Sequence, residues 1–169
     1  IKDSGTQQKE ERGKDLFVTV GKKGKIFTSL NGNTWTLRKS STKESLTSVI
    51  YGNGKFVAVG DDGTILTSSD GIFWKLNIQG KGNNFWSITY GKGLFVTVSS
   101  NGLISTSSDG SFWIPVKSGV NSYLGSITYG NELFVTVGYS GTILTSSDGR
   151  TWKKRKSQTN NHLMGITYG

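Results

Sequence analysis

Trp35, Trp74, Trp113 and Trp152 recur every 39 residues, and so do Phe17, Phe56, Phe95 and Phe134. Each Trp closes a copy of one segment: GKIFTSLNGNTW at Gly24–Trp35, GTILTSSDGIFW at Gly63–Trp74, GLISTSSDGSFW at Gly102–Trp113 and GTILTSSDGRTW at Gly141–Trp152. A fixed period of about 40 residues restricts a chain to propellers, solenoids and other repeat arrays. The repeat occupies residues 13–169, and the polar stretch 1–12 lacks both the period and any apolar alternation, so it reads as a tail or linker.

One repeat divides into four short runs. In the second full unit they are Phe85–Tyr90, Leu94–Val98, Leu103–Ser107 and roughly Phe112–Lys117. The breaks between them are Gly91-Lys92-Gly93, Ser99-Ser100-Asn101-Gly102 and Ser108-Asp109-Gly110. Runs rich in Val, Ile, Thr, Phe and Tyr, separated by Gly, Asn and Asp, are strands joined by hairpins. No segment has a 3.6-residue apolar period, so almost no helix is predicted. Four antiparallel strands in about 40 residues make a β-propeller blade, with strands A to D counted outward from the axis.

The order of runs adds to this. Repeat 1 has only B, C and D, while the chain ends with an extra A-type run, Leu163–Tyr168. Pairing that run with Leu16–Val20 would complete the first blade and remove an exposed strand edge. The predicted fold is therefore an all-β propeller of four blades closed by the C-terminal strand. A ring of eight blades from two chains and a part of a larger propeller remain alternatives.

Composition excludes several classes. The chain has no Cys, which removes disulfides and thiolate chemistry. No apolar run approaches the ~20 residues of a membrane span, so no membrane insertion is expected. It begins at Ile1, which fits removal of a signal peptide or a partial chain. The formal charge of +9 is clustered, with Lys22, Lys23 and Lys25 in the first repeat and Lys153, Lys154, Arg155 and Lys156 in the last. Closure of the ring would bring these clusters together as a basic patch suited to an anionic polymer or an acidic protein. Double-stranded nucleic acid is disfavoured, because no recognised binding module is present.

The SSDG-x-[TF]-W segments resemble the Asp-box, or BNR-like, repeats of sialidase-type and sortilin-type propellers and of the photosystem II assembly factors. The FVAVG-DDG-TILTSSDG frame is similar to repeats of bacterial secreted and surface proteins, which implies a secreted or cell-surface location. One departure is that Asp70, Asp109 and Asp148 directly precede Gly, where the usual box has a residue between them. The resemblance also implies that the box lies in the C–D hairpin, on the face away from the usual binding site.

Asp before Gly in a tight turn accepts hydrogen bonds from N–H groups two or three residues on, and Gly supplies positive φ. Asp70, Asp109, Asp148 and the four repeat tryptophans (35, 74, 113 and 152) are accordingly read as a structural staple, with Trp covering the turn.

Catalysis is not expected. A sialidase needs an arginine triad and a Tyr–Glu pair, and the four arginines do not share a repeat position that would converge them. The single His162 rules out His-based triads and multi-His metal sites within one chain. No metal or cofactor is implied.

Binding is better supported. The D–A and B–C connections share one face of a propeller, and here they are the variable parts of the repeat. One B–C position reads Lys22, Asp61, Ser100 and Tyr139 in successive repeats, whereas the A–B turns keep a Tyr-Gly start. Loops held by a rigid scaffold are common recognition sites. Trp86 breaks the repeat, its counterparts being Thr47, Gly125 and Met164. Trp86, Tyr139, Asn84, Asn101, Asn161 and His162 are the candidate ligand-binding residues. They suit a glycan or surface polymer, with a protein partner as the alternative.

Overall fold

Short β-prone runs separated by Gly, Asn and Asp fold into a row of small antiparallel sheets, seen in a computed structural model that describes residues 15–169. The tail expected at 1–12 lies outside the described residues. The first sheet contains β1 (Phe17–Gly21), β2 (Lys25–Ser29) and β3 (Thr36–Arg38). The second contains β4 (Leu46–Gly52), β5 (Lys55–Gly60), β6 (Thr64–Ser68) and β7 (Lys75–Ile78). The third is β8 (Phe85–Gly91), β9 (Leu94–Ser99), β10 (Ile104–Ser107) and β11 (Ile114–Val116). The fourth is β12 (Leu124–Gly130), β13 (Leu133–Gly138), β14 (Ile143–Ser146) and β15 (Lys153–Arg155). Strands follow one another in order within every sheet, as in propeller blades.

The 39-residue period survives as register. Tyr51 opposes Phe56, Tyr90 opposes Phe95 and Tyr129 opposes Phe134. Among the described residues helix is limited to single 3₁₀ turns in three of the B–C connections. The outermost strands are shorter than predicted, because the tryptophan and the residue before it belong to the hairpin rather than the strand.

Blades stack through three apolar cores. Ile26 of the first blade meets Phe56, Leu66 and Trp74 of the second. Val57, Val59 and Ile65 meet Phe85, Phe95 and Trp113 of the third. Val96, Val98 and Ile104 meet Leu124, Phe134 and Leu144 of the fourth. Side chains alternate across a strand, so Phe56 and Ala58 face the first blade while Val57 and Val59 face the third. Burial on both faces is why the B strands of the inner blades are apolar at nearly every position, with a buried Thr as the one polar residue within the runs of β9 and β13.

The inner strands interlock by a repeated contact. The N–H of Ile88 donates to Ser48 Oγ at 3.4 Å, and that of Ile127 to Ser87 Oγ at 3.3 Å. The rings of Tyr90 and Tyr129 overlie Gly52 and Gly91. Residues 163–168 continue this series. The N–H of Ile166 donates to Ser126 Oγ at 3.3 Å, and the Tyr168 ring overlies Gly130.

The expected pairing of this segment with Leu16–Val20 is not present. Among the described residues β1 pairs only with β2, and residues 163–168 join no ladder. Stacking carries the segment one more step along the row instead of back to the first blade. Among the described residues no helix is long and apolar enough to cross a membrane.

The C–D hairpins repeat one hydrogen-bonded knot. Asp70 Oδ1 accepts from the N–H groups of Ile72 and Phe73 at 2.8 and 3.0 Å, and Asp148 Oδ1 does so from Arg150 and Thr151 at 2.8 and 2.7 Å. The indole N–H of each tryptophan donates to the turn glycine's carbonyl, at 2.9 Å for Trp74 and 3.1 Å for Trp113. Asn31 accepts the same pair of N–H bonds in the first copy, so an amide oxygen suffices.

The donated N–H bonds hold the Asp148 carboxyl below its ordinary range, those of Thr151 and Arg150 contributing most. Those of Phe112 and Ser111 do the same for Asp109. At Asp70, burial opposes the shift and the N–H donors outweigh it. A depressed folded-state value gives stability that is present above the unfolded value and lost as pH falls through the folded one. Acid unfolding monitored by circular dichroism should therefore steepen below the ordinary carboxylate value of about 3.9. Asp148→Asn should flatten that limb and lower stability at pH 7 by the pH-linked part alone, since the amide oxygen still accepts the two N–H groups. Asp148→Ala should cost about 1 kcal/mol at pH 7, by removing the acceptor of two N–H groups.

Candidate functional site

The D–A and B–C connections meet on one face, tied by a backbone bond that recurs in three blades. The N–H groups of Asp61, Ser100 and Tyr139 donate to the carbonyls of Ser45, Asn84 and Tyr123 at 2.9, 3.2 and 2.9 Å. Backbone positions are thus held constant while the side chains on them differ. Ser45, Asn84, Tyr123 and His162 occupy one repeat position, Lys22, Asp61, Ser100 and Tyr139 another, and Thr47, Trp86, Gly125 and Met164 a third.

From these three positions the last two blades build a row of four rings. Trp86 packs on Tyr123 with centroids 5.3 Å apart and planes tilted by 51°. Tyr123 stacks on Tyr139 at 4.3 Å, and Tyr139 stacks on His162 at 3.9 Å with planes 7° apart.

Local structure explains each place in the row. Trp86 is the extra residue of a β-bulge between Phe85 and Ser87, and a bulge re-aims its side chain. Thr47 and Gly125 fall at the matching bulges of β4 and β12. The Thr47 hydroxyl bonds the carbonyls of Val59 and Phe85, whereas Gly125 leaves room for the Tyr123 ring, which a Cβ would approach to 2.8 Å. Tyr139 opens the 3₁₀ turn Tyr139–Gly141. His162 is oriented by accepting the Ser140 N–H on Nδ1 at 3.2 Å, which leaves Nε2 as its donor. Burial, together with the neighbouring Tyr139, raises the Tyr123 phenol above its ordinary value.

Of the residues expected to bind ligand, the structure unites Trp86, Tyr139 and His162. Tyr123 was not among them, although alignment of the repeat positions would have exposed it, because it shares His162's place in the repeat.

Asn84 and Asn101 each bond a neighbouring loop. Asn84 Oδ1 accepts the Asp62 N–H at 3.1 Å. Asn101 Oδ1 is bonded by Ser99 Oγ and the Leu103 N–H, and its amide donates to Asn83 Oδ1 at 2.8 Å. Asn161 stands beside His162 with its carbonyl accepting the Gly141 N–H at 2.8 Å.

The basic residues fall into two places. Lys22 and Lys23 are exposed on the B–C turn of the first blade, while Lys153, Lys154 and Arg155 form the exposed strand β15 of the fourth, followed by Lys156. The row stacks first on second, second on third and third on fourth blade, with no comparable packing of first on fourth among the described strands. The single basic patch expected from ring closure is therefore divided between the two ends. The cluster of the fourth blade borders the aromatic row: Lys154, Arg155 and Lys156 line a shallow groove with Ser140, Gln158 and Asn160.

No protein-family model matches the sequence, and no curated protein matches it. Solved structures are similar in fold. The structure described as YCF48 bound to D1 peptide matches with a TM-score of 0.70 and 20% identity, over 89% of this chain and 55% of that one. YCF48 from Cyanidioschyzon merolae matches with a TM-score of 0.68 and 15% identity, over 92% and 61%. The computationally designed Ika8 protein matches with a TM-score of 0.72 and 12% identity, over 92% and 50%. The chain thus has the β-propeller fold and spans less than two thirds of the length of each of these proteins.

Proposed function

We propose that this chain is a non-catalytic binding module whose ligand is a protein segment, held across the face formed by the D–A and B–C connections. The observation that carries this reading is the four-ring row Trp86–Tyr123–Tyr139–His162 on backbone positions shared by the repeats. A sugar ring stacks on a free aromatic face, but Tyr139 has Tyr123 against one face and His162 against the other. What the row offers is ring edges, the tyrosine hydroxyls and one outward part of Trp86, which is 37% exposed. Edges and hydroxyls beside a basic groove suit peptide groups and carboxylates more than a stacked glycan. A fold-level neighbour described as bound to a peptide is in keeping with this. The Asp-box resemblance supports placing the chain with BNR-like repeat proteins, with the staple on one face and the ligand on the other.

Peptide phage display against the chain tests the reading. Selected peptides should combine aromatic and acidic residues and bind more weakly as salt is raised, since surface charge attraction is screened. Affinity should fall at least about 10-fold in Tyr139→Ala, which removes the middle of the row and is worth at least about 1.4 kcal/mol. The Lys154→Glu/Arg155→Glu variant should lose mainly the acidic preference. Selection of no peptide, together with salt-resistant glycan-array binding lost in Trp86→Ala, would replace the protein ligand by a glycan.

A further inference from the structure

We infer that the junction between the second and third blades holds a binding site for a small uncharged molecule with an apolar body and one hydrogen-bond acceptor, such as an aryl ketone. The four rings of the aromatic row lie outside its lining, and the site does not rest on the protein ligand proposed above.

The repeat shows what this junction lacks. One position on the third strand of each blade reads Phe27, Leu66, Ser105 and Leu144. Leu66 and Leu144 are fully buried against the preceding blade, in the clusters of Ile26 and Phe56 and of Val96 and Phe134. Ser105 is buried at the same place with a much shorter side chain. On the facing wall, Val116 packs on the cluster that holds Leu144, and its counterpart in the second blade is Asn77. An apolar pair at one junction is thus replaced by a polar pair, Asn77 and Ser105, at its neighbour.

The shortfall is a cavity of about 510 Å³, walled by Phe85, Leu103, Ser105, Trp113 and Pro115 of the third blade and bounded by Gln79 on the second. That volume lies in the range of small-molecule sites. Phe85, Ser105 and Trp113 are at most 5% exposed, so these walls belong to the core. Among the described residues none that lines the cavity is charged. A charged ligand would lose its hydration there without a counter-ion, which selects an uncharged one. Water finds few hydrogen bonds against Phe85, Leu103 and Trp113, and replacing it by an apolar group is favourable.

The polar pair calls for the acceptor. Asn77 stands opposite Ile65, which packs against the third blade, and opposite residues share a face of the sheet. Its amide nitrogen is buried and, among the described residues, has no hydrogen-bond partner, so Ser105 does not satisfy it. Gln79, two residues on, lines the cavity. A buried donor left unpaired is costly. A ligand oxygen met by rotation of the Asn77 amide, with the Ser105 hydroxyl as a second donor, removes that cost.

Two probes test the site: acetophenone, a ring with one carbonyl acceptor, and cumene, which has a similar shape without it. Each is titrated into the ¹⁵N-labelled chain and followed by NMR. The expected result is saturable movement of the Leu103 and Ser105 amides and the Trp113 indole N–H, with acetophenone at least about 5-fold tighter than cumene. Ser105→Leu, which places the leucine found at 66 and 144, should keep the urea midpoint and weaken acetophenone at least about 10-fold. Asn77→Val, with the residue found at 116, should bring acetophenone down to the level of cumene. If Ser105→Leu does not fold, the two probes compared in the unmodified chain and in Asn77→Val decide alone. No saturable shift at these groups with either probe would overturn the site. So would shifts that persist undiminished in folded Ser105→Leu, since the probes would then bind elsewhere. Equal affinity for both probes in the unmodified chain would reduce the cavity to a packing void and overturn the ligand class.

Discussion

Phe95→Ala is expected to lose about 3–5 kcal/mol of folding stability, read as a shift in the midpoint of urea unfolding. Its ring is fully buried between the second and third blades, against Val57, Val59 and Ile65, and tilts on Tyr90 with centroids 4.6 Å apart. Truncation removes apolar area from a junction whose backbone is pinned by ladders on both sides, so the site cannot collapse around the void. Against a typical total of about 5–15 kcal/mol this is a large share. Phe17→Ala removes the same ring from the same repeat position. It should cost less than about 1 kcal/mol, because the Phe17 ring is already largely in water. Equal losses at the two positions would mean that Phe17 is covered.

Gly138→Val is expected to cost about 2–3 kcal/mol and to dismantle the aromatic row. The backbone here is extended, with φ −165°, so any residue fits the torsion and the obstacle is steric. A Cβ would collide with the Tyr123 carbonyl oxygen, the atom that accepts the Tyr139 N–H at 2.9 Å. Losing that bond separates the two loops that set Tyr123 against Tyr139. The third blade shows how the fold copes with a side chain at this position. Ser99 stands there, its hydroxyl bonds the Leu103 carbonyl and Asn101, and the 3₁₀ turn of the other blades is replaced by a different turn. The Tyr123 and Tyr139 aromatic resonances, followed by NMR, should move toward unstacked positions in Gly138→Val. Unchanged ring shifts would show that stacking does not depend on this close approach.

Much of the molecule was legible in the chain before any coordinates. The four-run repeat predicted the blades, and the SSDG segments predicted the turn in which Asp accepts N–H groups and Trp lies across the top. Those features are local, since their partners sit within a few residues and depend on turn chemistry alone. The binding face was only partly legible. Trp86 and Tyr139 stood out as breaks in the repeat, and the variable loops were correctly assigned to one face. Asn84 and Asn101 were singled out for their chemistry, and the structure shows in addition that Asn84 Oδ1 and the Asn101 side chain bond neighbouring turns, which depends on the N–H groups the fold places beside them. Tyr123 was missed because it looks ordinary within its own loop and gains meaning only beside Tyr139.

By itself, then, the sequence determined the period, the strands, the hairpins and the staple, because each is set by steric and hydrogen-bonding demands within about 40 residues. Tertiary structure alone decided where the last strand goes and which rings touch. The C-terminal run could in principle pair with any free edge, and stacking on Ser126 and Gly130 carried it onward from the fourth blade rather than back to β1. The same stacking kept the two lysine clusters at opposite ends of the row and brought Trp86, Tyr123, Tyr139 and His162 into one. Contacts between repeats depend on the angle and spacing at which whole sheets pack, and no window of sequence encodes those.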